Sequence, residues 1–284
     1  MAVGAVAKRK RERLSDDRRV WYADGPMVLH CADARVMPEL ADQSVDLVVT
    51  SPPYWDIKNY RTSGQMGLGQ SYEEYWEELG KVLAECHRVL RPGRAFAIVI
   101  GTRISDGDLK HIPADLIQRM PDIGFTLRKE IIWVKPKGTQ GLWQRGTTQF
   151  LKDKPYVGCF NINIQHEFIL IFSRDGDAPT DTEHRLPEAF IKEVAWSVWE
   201  MPVSTMKGHP APFPEAIPRR LIALYTHPRE IVLDPFIGSG TTAVAALKEG
   251  RRCVGYEISE EYCKLAEERV TGLQFPVSRR EGLA

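Results

Sequence analysis

The chain predicts an α/β fold, a parallel sheet with helices packed on its faces, and three features of the sequence carry that reading. From Met27 onward, short apolar runs alternate with helical patterns. Residues 72–90 place Tyr75, Trp76, Leu79, Val82, Leu83, Cys86, Val89 and Leu90 at three- and four-residue intervals, which gives a helix one apolar stripe. From residue 231 a strand, a Gly-rich turn, a helix and another strand follow in that order. The 284 residues suffice for one large domain of this kind or two small ones.

Residues 1–20 read as a polar basic arm with no core to bury: Lys8, Arg9, Lys10, Arg11, Arg13, Arg18 and Arg19 stand against Glu12, Asp16 and Asp17. The folded domain is expected over 21–274, with 275–284 as a tail. Strands are expected at 28–30, 45–49, 95–100, 130–134, 167–172, 231–233 and 253–256. Ser71 followed by Glu74 is a capping box that starts the 72–90 helix, and Arg91-Pro92-Gly93 stops it. Residues 125–135 and 165–174 resemble two strands of a long hairpin. The hairpin insert and the segment to about residue 199 have little periodicity, so 136–165 and 175–208 are assigned to a small recognition lobe. Further helices begin after Gly240, ending at Gly250, and cover 260–270.

Apolar content of 43% and charged content of 27% are those of an ordinary soluble globular protein. No apolar run approaches membrane-spanning length and the N-terminus lacks a signal-peptide core, so no membrane partner is expected. Cys31, Cys86, Cys159, Cys253 and Cys263 form no C-x-x-C pair and no zinc spacing. They read as reduced thiols of an intracellular, cytoplasmic protein with no metal. The net charge is zero, which weighs mildly against nucleic acid, but binding requires only a local patch. One candidate is the arm. The other holds Lys135, Lys137, Arg145, Lys152 and Lys154 against Asp153, interleaved with Trp143, Gln144, Gln149 and Phe150. Aromatic and polar side chains among cations suit base contact and stacking, although either run also reads as a solvated surface.

Two constellations carry chemistry. Val49-Thr50-Ser51-Pro52-Pro53-Tyr54 ends an apolar strand. Consecutive prolines fix φ and remove two donors, so neither ladder nor helix continues there. The stiff corner reads either as a plain turn or as a grip for a flat, amino-bearing ring. In the second case hydroxyl and carbonyl accept from the amino group while Tyr54 stacks. The other constellation is Ile231-Val232-Leu233-Asp234-Pro235-Phe236-Ile237-Gly238-Ser239-Gly240-Thr241-Thr242, where the glycines allow close backbone approach and the helix start offers N–H groups. Glu257 stands at the tip of the next strand, about twenty residues after Asp234, where Rossmann-type sites hold a ribose diol. The turn lacks full dinucleotide spacing and a phosphate-loop lysine, so it suits a nucleoside without phosphates, such as S-adenosylmethionine.

Together the two motifs resemble the amino-group DNA methyltransferases, over nearly everything from residue 27 to 269. Val-Thr-Ser-Pro-Pro-Tyr is similar to the N4-cytosine signature; the adenine branch usually carries Asp at the position of Ser51. Catalytic motif first and cofactor motif last is similar to the β group, a circular permutation of the Rossmann-like methyltransferase sheet with a small target-recognition insert. Residues 85–93, 131–135, 166–169 and 209–214 are similar to further family segments. The resemblance implies that Asp234, Pro235, Phe236, Gly238, Ser239 and Gly240 surround the methionine part of the cofactor, with Thr241 or Thr242 reaching its carboxylate. It implies that Glu257 holds the ribose, that Asp33 meets the adenine amino group and that Phe213 packs beside them. It makes Ser51, Pro52, Pro53 and Tyr54 catalytic; Lys135, Lys137, Trp143, Arg145, Lys152 and Lys154, from the basic and aromatic run, are the expected contacts for double-stranded DNA. His166 and His209 are read as structural. Dimerisation and a cognate restriction endonuclease are further implications.

The expected reaction moves a methyl group from S-adenosylmethionine to the N4 amino group of a flipped-out cytosine. The loop 56–70, with Gly64, Gly67 and Gly69, is placed either to cover that base or to remain an inert surface loop. Trp55 either widens the stacking platform or fills core. C5-cytosine chemistry is disfavoured because none of the five cysteines follows proline. N6-adenine methylation on the same scaffold, a non-catalytic nucleic-acid-binding module, and an RNA or protein amino methyltransferase are the competing readings.

Overall fold

In the computed structural model, residues 18–105, 108–136, 156–158, 164–177, 184–204, 206 and 213–273 are described. Strands β1 (Arg19–Asp24), β2 (Met27–Cys31) and β3 (Val45–Thr50) lead to helix α1 (Tyr72–Val89) and strand β4 (Leu90–Ile100). A short ribbon, β5 (Arg103–Ser105) and β6 (Asp108–Lys110), precedes α2 (Ile112–Ile123), β7 (Phe125–Val134) and β8 (His166–Arg174). Then come α3 (Glu188–Val194), β9 (Val198–Glu200), α4 (Ala216–Tyr225), β10 (Ile231–Asp234), α5 (Thr241–Lys248), β11 (Arg252–Glu257) and α6 (Glu260–Thr271).

Nine strands form one sheet in the order β1-β2-β11-β10-β3-β4-β8-β7-β9. The run from β2 to β4 is parallel throughout, whereas β4, β8 and β7 pair antiparallel. Side-chain alternation splits the core into two layers. Leu47, Val49, Ala97, Val99, Ile169 and Ile171 join the layer under α4, α5 and α6. Val48, Phe96, Ile98, Leu170 and Phe172 join the layer under α1 and α2. All six residues of β3 are buried because the sheet is covered on both faces, and its two polar side chains, Asp46 and Thr50, are hydrogen-bonded.

This topology makes the crevice. From β3 the chain runs through α1 to β4 on one side; from β10 it runs through α5 to β11 on the other. The neighbours β3 and β10 therefore send their connections in opposite directions, and the space beyond their C-terminal ends stays open.

Most expected elements occur within a residue or two of their sequence positions, and the exceptions have physical reasons. The capping box forms as read, with Ser71 accepting from Glu74 N and Glu74 from Ser71 N. Arg91-Pro92-Gly93 does stop α1, but β4 starts at once, because Leu90 is already extended and pairs with Val45. The turn residues thus lie inside a strand, with Gly93 at φ +73°. Arg19 and Val20, assigned to the arm, belong to β1. Helix α2 is hidden in sequence by Pro113 and Pro121; it is closed by Gly124 at φ +103°. The 175–208 segment holds α3 and β9, and β9 joins the main sheet beside β7. No helix among the described residues is long and apolar enough to cross a membrane.

Candidate active site

The C-terminal ends of β2, β11, β10 and β3 and the start of the β7–β8 hairpin loop border one cavity of about 460 Å³. Ala32 and Asp33 follow β2, Glu257 ends β11, Pro235 to Ser239 follow β10, and Ser51 to Tyr54 follow β3; all line it. Trp133, Lys135 and Glu167 close the hairpin side.

At the β10 end, Asp234 is the joint between the two motifs. Thr50 Oγ1 donates to its Oδ1 at 2.6 Å, Thr242 Oγ1 to its Oδ2 at 2.6 Å, and Phe236 N to Oδ1 at 3.0 Å. The turn over Pro235-Phe236 and the strand carrying the Ser-Pro-Pro corner are thereby tied to one carboxylate. Burial raises the Asp234 carboxyl to about 6, against the hydrogen bonds that favour its charge. Glu257 accepts from Gly238 N at 3.0 Å and Ser259 N at 2.9 Å, and burial raises it to about 7. Asp33 is clasped by Arg35, which is itself held by a second ion pair to Glu78. Arg269 of α6 donates to Ser239 O and, at 3.1 Å, to Thr241 Oγ1, setting a cation behind the helix start.

At the β3 end, Tyr75, fully buried on α1, donates to Pro53 O at 2.9 Å and pins the corner. Tyr54 Oη stands 3.3 Å from Ser51 Oγ and donates to Glu167 Oε2 at 2.9 Å. Lys135 Nζ pairs with Glu167 Oε1 and lies 4.9 Å from the Trp133 ring centroid. The 56–70 loop folds over the cavity and contributes Tyr60, Gln65 and Met66 to its lining. Two glutamines brace it: Gln65 accepts from Tyr60 N at 2.7 Å, and Gln70 from Gly67 N at 2.6 Å. Trp55 fills core against Tyr72 and donates to Gln70 O at 2.9 Å.

Of the residues singled out in the sequence, Asp33, Ser51, Pro52, Pro53, Tyr54, Phe213, Pro235, Phe236, Gly238, Ser239, Thr241 and Glu257 line this cavity. Asp234, Gly240 and Thr242 stand behind its wall. Thr242 is fully buried with its hydroxyl spent on Asp234, so Thr241 is the threonine that faces inward. Gly240, at φ +80°, is a packing glycine: a Cβ there would lie 3.0 Å from Ala266 Cβ. Lys135, expected among the DNA contacts of a basic run, is 8% exposed and ion-paired to Glu167 inside the cavity. Lys137, Trp143, Arg145, Lys152 and Lys154 lie outside the described residues, as do His209, most of the basic arm and the tail. Sequence reasoning missed the Glu167–Lys135 pair and Arg269. The signal for the pair was two charges of opposite sign at facing ends of the hairpin, each next to an apolar stretch, 131–134 on one strand and 168–172 on the other.

A permuted Rossmann-like sheet that brings an acidic strand tip, a glycine turn and a Ser-Pro-Pro-Tyr corner to one cavity is the architecture of the amino-directed methyltransferase class. A family model described as DNA methylase matches residues 45–268. The chain belongs to that family. It is similar to Type II methyltransferase M.MjaI of Methanocaldococcus jannaschii, at 34% identity over 84% of this chain and 89% of the relative. It is also similar to DNA adenine methyltransferase YhdJ of Escherichia coli, at 28% identity over 86% and 82%. Among solved structures, TTHA0409 of Thermus thermophilus, complexed with S-adenosyl-L-methionine, superposes with a TM-score of 0.66 at 32% identity, over 85% of this chain and 91% of that one. PvuII DNA methyltransferase (cytosine-N4-specific) shares the fold with a TM-score of 0.71 at 21% identity, over 92% of each chain.

Proposed function

We propose that this protein methylates the N4 amino group of a cytosine flipped out of double-stranded DNA. Family membership makes it a DNA methyltransferase dependent on S-adenosylmethionine. What supports the finer reading is Ser rather than Asp at position 51, on a corner that the Thr50–Asp234 hydrogen bond ties to the glycine turn.

The cavity fits the cofactor by the chemistry of its donors and acceptors. Glu257, already oriented by two N–H groups, would accept from the ribose hydroxyls; Asp33, held by Arg35, would accept from the adenine amino group. Phe213 and Phe236 offer apolar walls, and Thr241 with the turn at 238–240 would meet the amino-acid end. When bound, S-adenosylmethionine supplies a methyl group on a cationic sulfur.

Cytosine's amino nitrogen is a weak nucleophile because its lone pair is delocalised into the ring. Positioning is therefore the main task, with reacting atoms held about 3–3.5 Å apart. Ser51 Oγ and the Pro52 carbonyl accept from the amino group and draw its lone pair out of the ring, which stabilises the positive charge that develops on nitrogen. Tyr54 offers a face for stacking. Extracting the base from the duplex costs a few kcal/mol, which contacts from the 56–70 loop and DNA contacts from 136–165 and 175–208 would offset. Lys137, Trp143, Arg145, Lys152 and Lys154 belong to that DNA-contacting stretch. A homodimer and a partner endonuclease accompany this reading as proposals.

Adenine N6 is the second reading, favoured by the likeness to an adenine methyltransferase. Mass spectrometry of nucleosides from DNA treated with purified protein decides: N4-methylcytosine supports the proposal, and N6-methyladenine alone replaces it.

A further inference from the structure

Ser51 and Tyr54 of the corner, Glu167 of β8 and Lys135 just past β7 form a continuous polar chain at the base end of the cavity. Hydrogen counting gives this chain a direction. A phenol carries one hydrogen. Tyr54 Oη lies 2.9 Å from Glu167 Oε2, 3.3 Å from Val99 O and 3.3 Å from Ser51 Oγ. The carboxylate is the nearest of the three and the only charged one, so it takes that hydrogen. The contact between the two hydroxyls then has a single polarity left, with Ser51 donating to Tyr54. Ser51 thus turns lone pairs, and not its hydrogen, toward the cavity. Lys135 Nζ binds the other carboxylate oxygen, so Glu167 cannot rotate away from Tyr54.

We propose that Glu167 is a positioning residue that polarises this chain and finally receives the proton the reaction sheds. In methyl transfer the amino nitrogen gives its lone pair to the methyl carbon, and the former carbon–sulfur pair stays on sulfur. Nitrogen is left cationic with one proton in excess. Ser51 Oγ takes that proton as its own hydrogen passes to Tyr54 Oη and the Tyr54 hydrogen passes to Glu167 Oε2. The result is a neutral methylamino base and a protonated Glu167, which returns its proton to water once product leaves. No further reactant is needed. The inference rests on the amino-methyl reading of the site and holds for cytosine and adenine alike.

Glu167→Gln keeps the size of the side chain and still accepts from Tyr54, but it cannot hold the proton. The single-turnover methylation rate of this variant should fall by about 10²-fold or more. Its KM for DNA, its calorimetric affinity for S-adenosylmethionine and the fluorescence of 2-aminopurine at the target position should match wild type. Glu167→Asp restores a carboxylate and should recover at least about tenfold of that loss. Glu167→Gln turning over at the wild-type rate overturns the proposal. If that variant does not fold, Tyr54→Phe decides, since it keeps the ring and removes the bridging hydroxyl. A loss of about tenfold or more in Tyr54→Phe supports the chain, and an unchanged rate overturns it. Wild-type protein that leaves every DNA amino group unmethylated sinks the functional reading itself.

Discussion

The parallel and antiparallel halves of the sheet hold buried charge in opposite ways. Asp234 and Glu257, at the parallel end, are satisfied by hydroxyl and backbone donors, with no cation paired to either among the described residues. Glu167, at the antiparallel end, is locked to Lys135. Burial without a counter-charge raises carboxyl pKa values and leaves negative potential, which suits a ligand carrying a cationic sulfur and donating hydroxyls. A compensated pair adds no net charge, which suits a neutral base. The difference supports the proposed placing of cofactor at one end and nucleobase at the other.

Ser51→Ala tests the base end hardest. Removing one accepting hydroxyl should cut the methylation rate by about 10²–10³-fold. Calorimetric affinity for S-adenosylmethionine should not change; if it falls in parallel, the two ends are not separable. Asp234→Ala attacks the joint itself. Orphaning the Thr50 and Thr242 hydroxyls should cost roughly 2–4 kcal/mol of stability in urea titration and weaken cofactor binding. Retained binding would show that the turn holds its shape without the joint.

Gly67→Ala probes the covering loop. At φ +90° a Cβ would meet Trp55 O at 2.3 Å, a backbone atom that cannot swing aside. Turnover should fall by about tenfold, as expected for misplacing a positioning segment, with the global melting temperature little moved. An unchanged rate would make the loop inert.

Proton linkage sharpens the contrast most gently. The ionised Glu257 carboxylate is the better acceptor for ribose, so cofactor affinity should weaken as pH falls through about 7. Glu257→Gln should bind less tightly and lose that dependence. Ligand-free stability runs the other way. Asp234 and Glu257 have folded pKa values near 6 and 7, above their ordinary 3.8 and 4.5. Their contribution is therefore complete below those ordinary values and is lost as pH climbs through 6 and 7. Denaturation from pH 4.5 to 8 should show the decline, with its upper part missing in Glu257→Gln.

The parallel half was legible in sequence because its signals are local. Gly238 and Asp234 lie within one turn, Glu257 one strand on, and Ser51 to Tyr54 are contiguous. The antiparallel half was not, because Lys135 and Glu167 have meaning only across the hairpin. Read along the chain, Lys135 joins a run of cations; read across the hairpin, it faces Glu167. Asp234 shows a related limit. Its motif was recognised, yet only the register of β10 beside β3 reveals that its oxygens are spent on Thr50 and Thr242.

The bond from Thr50 to Asp234 spans 184 positions of chain. During synthesis the Ser51 corner leaves the ribosome long before its companion strand exists, and contacts so distant in sequence are slow to close. On the proposed reading of the site, a nascent or truncated polypeptide ending before residue 231 would carry the Ser51 corner with nowhere to seat the methyl donor. On that reading unfinished copies are inert, and DNA is modified only by molecules whose sheet has been assembled across its middle.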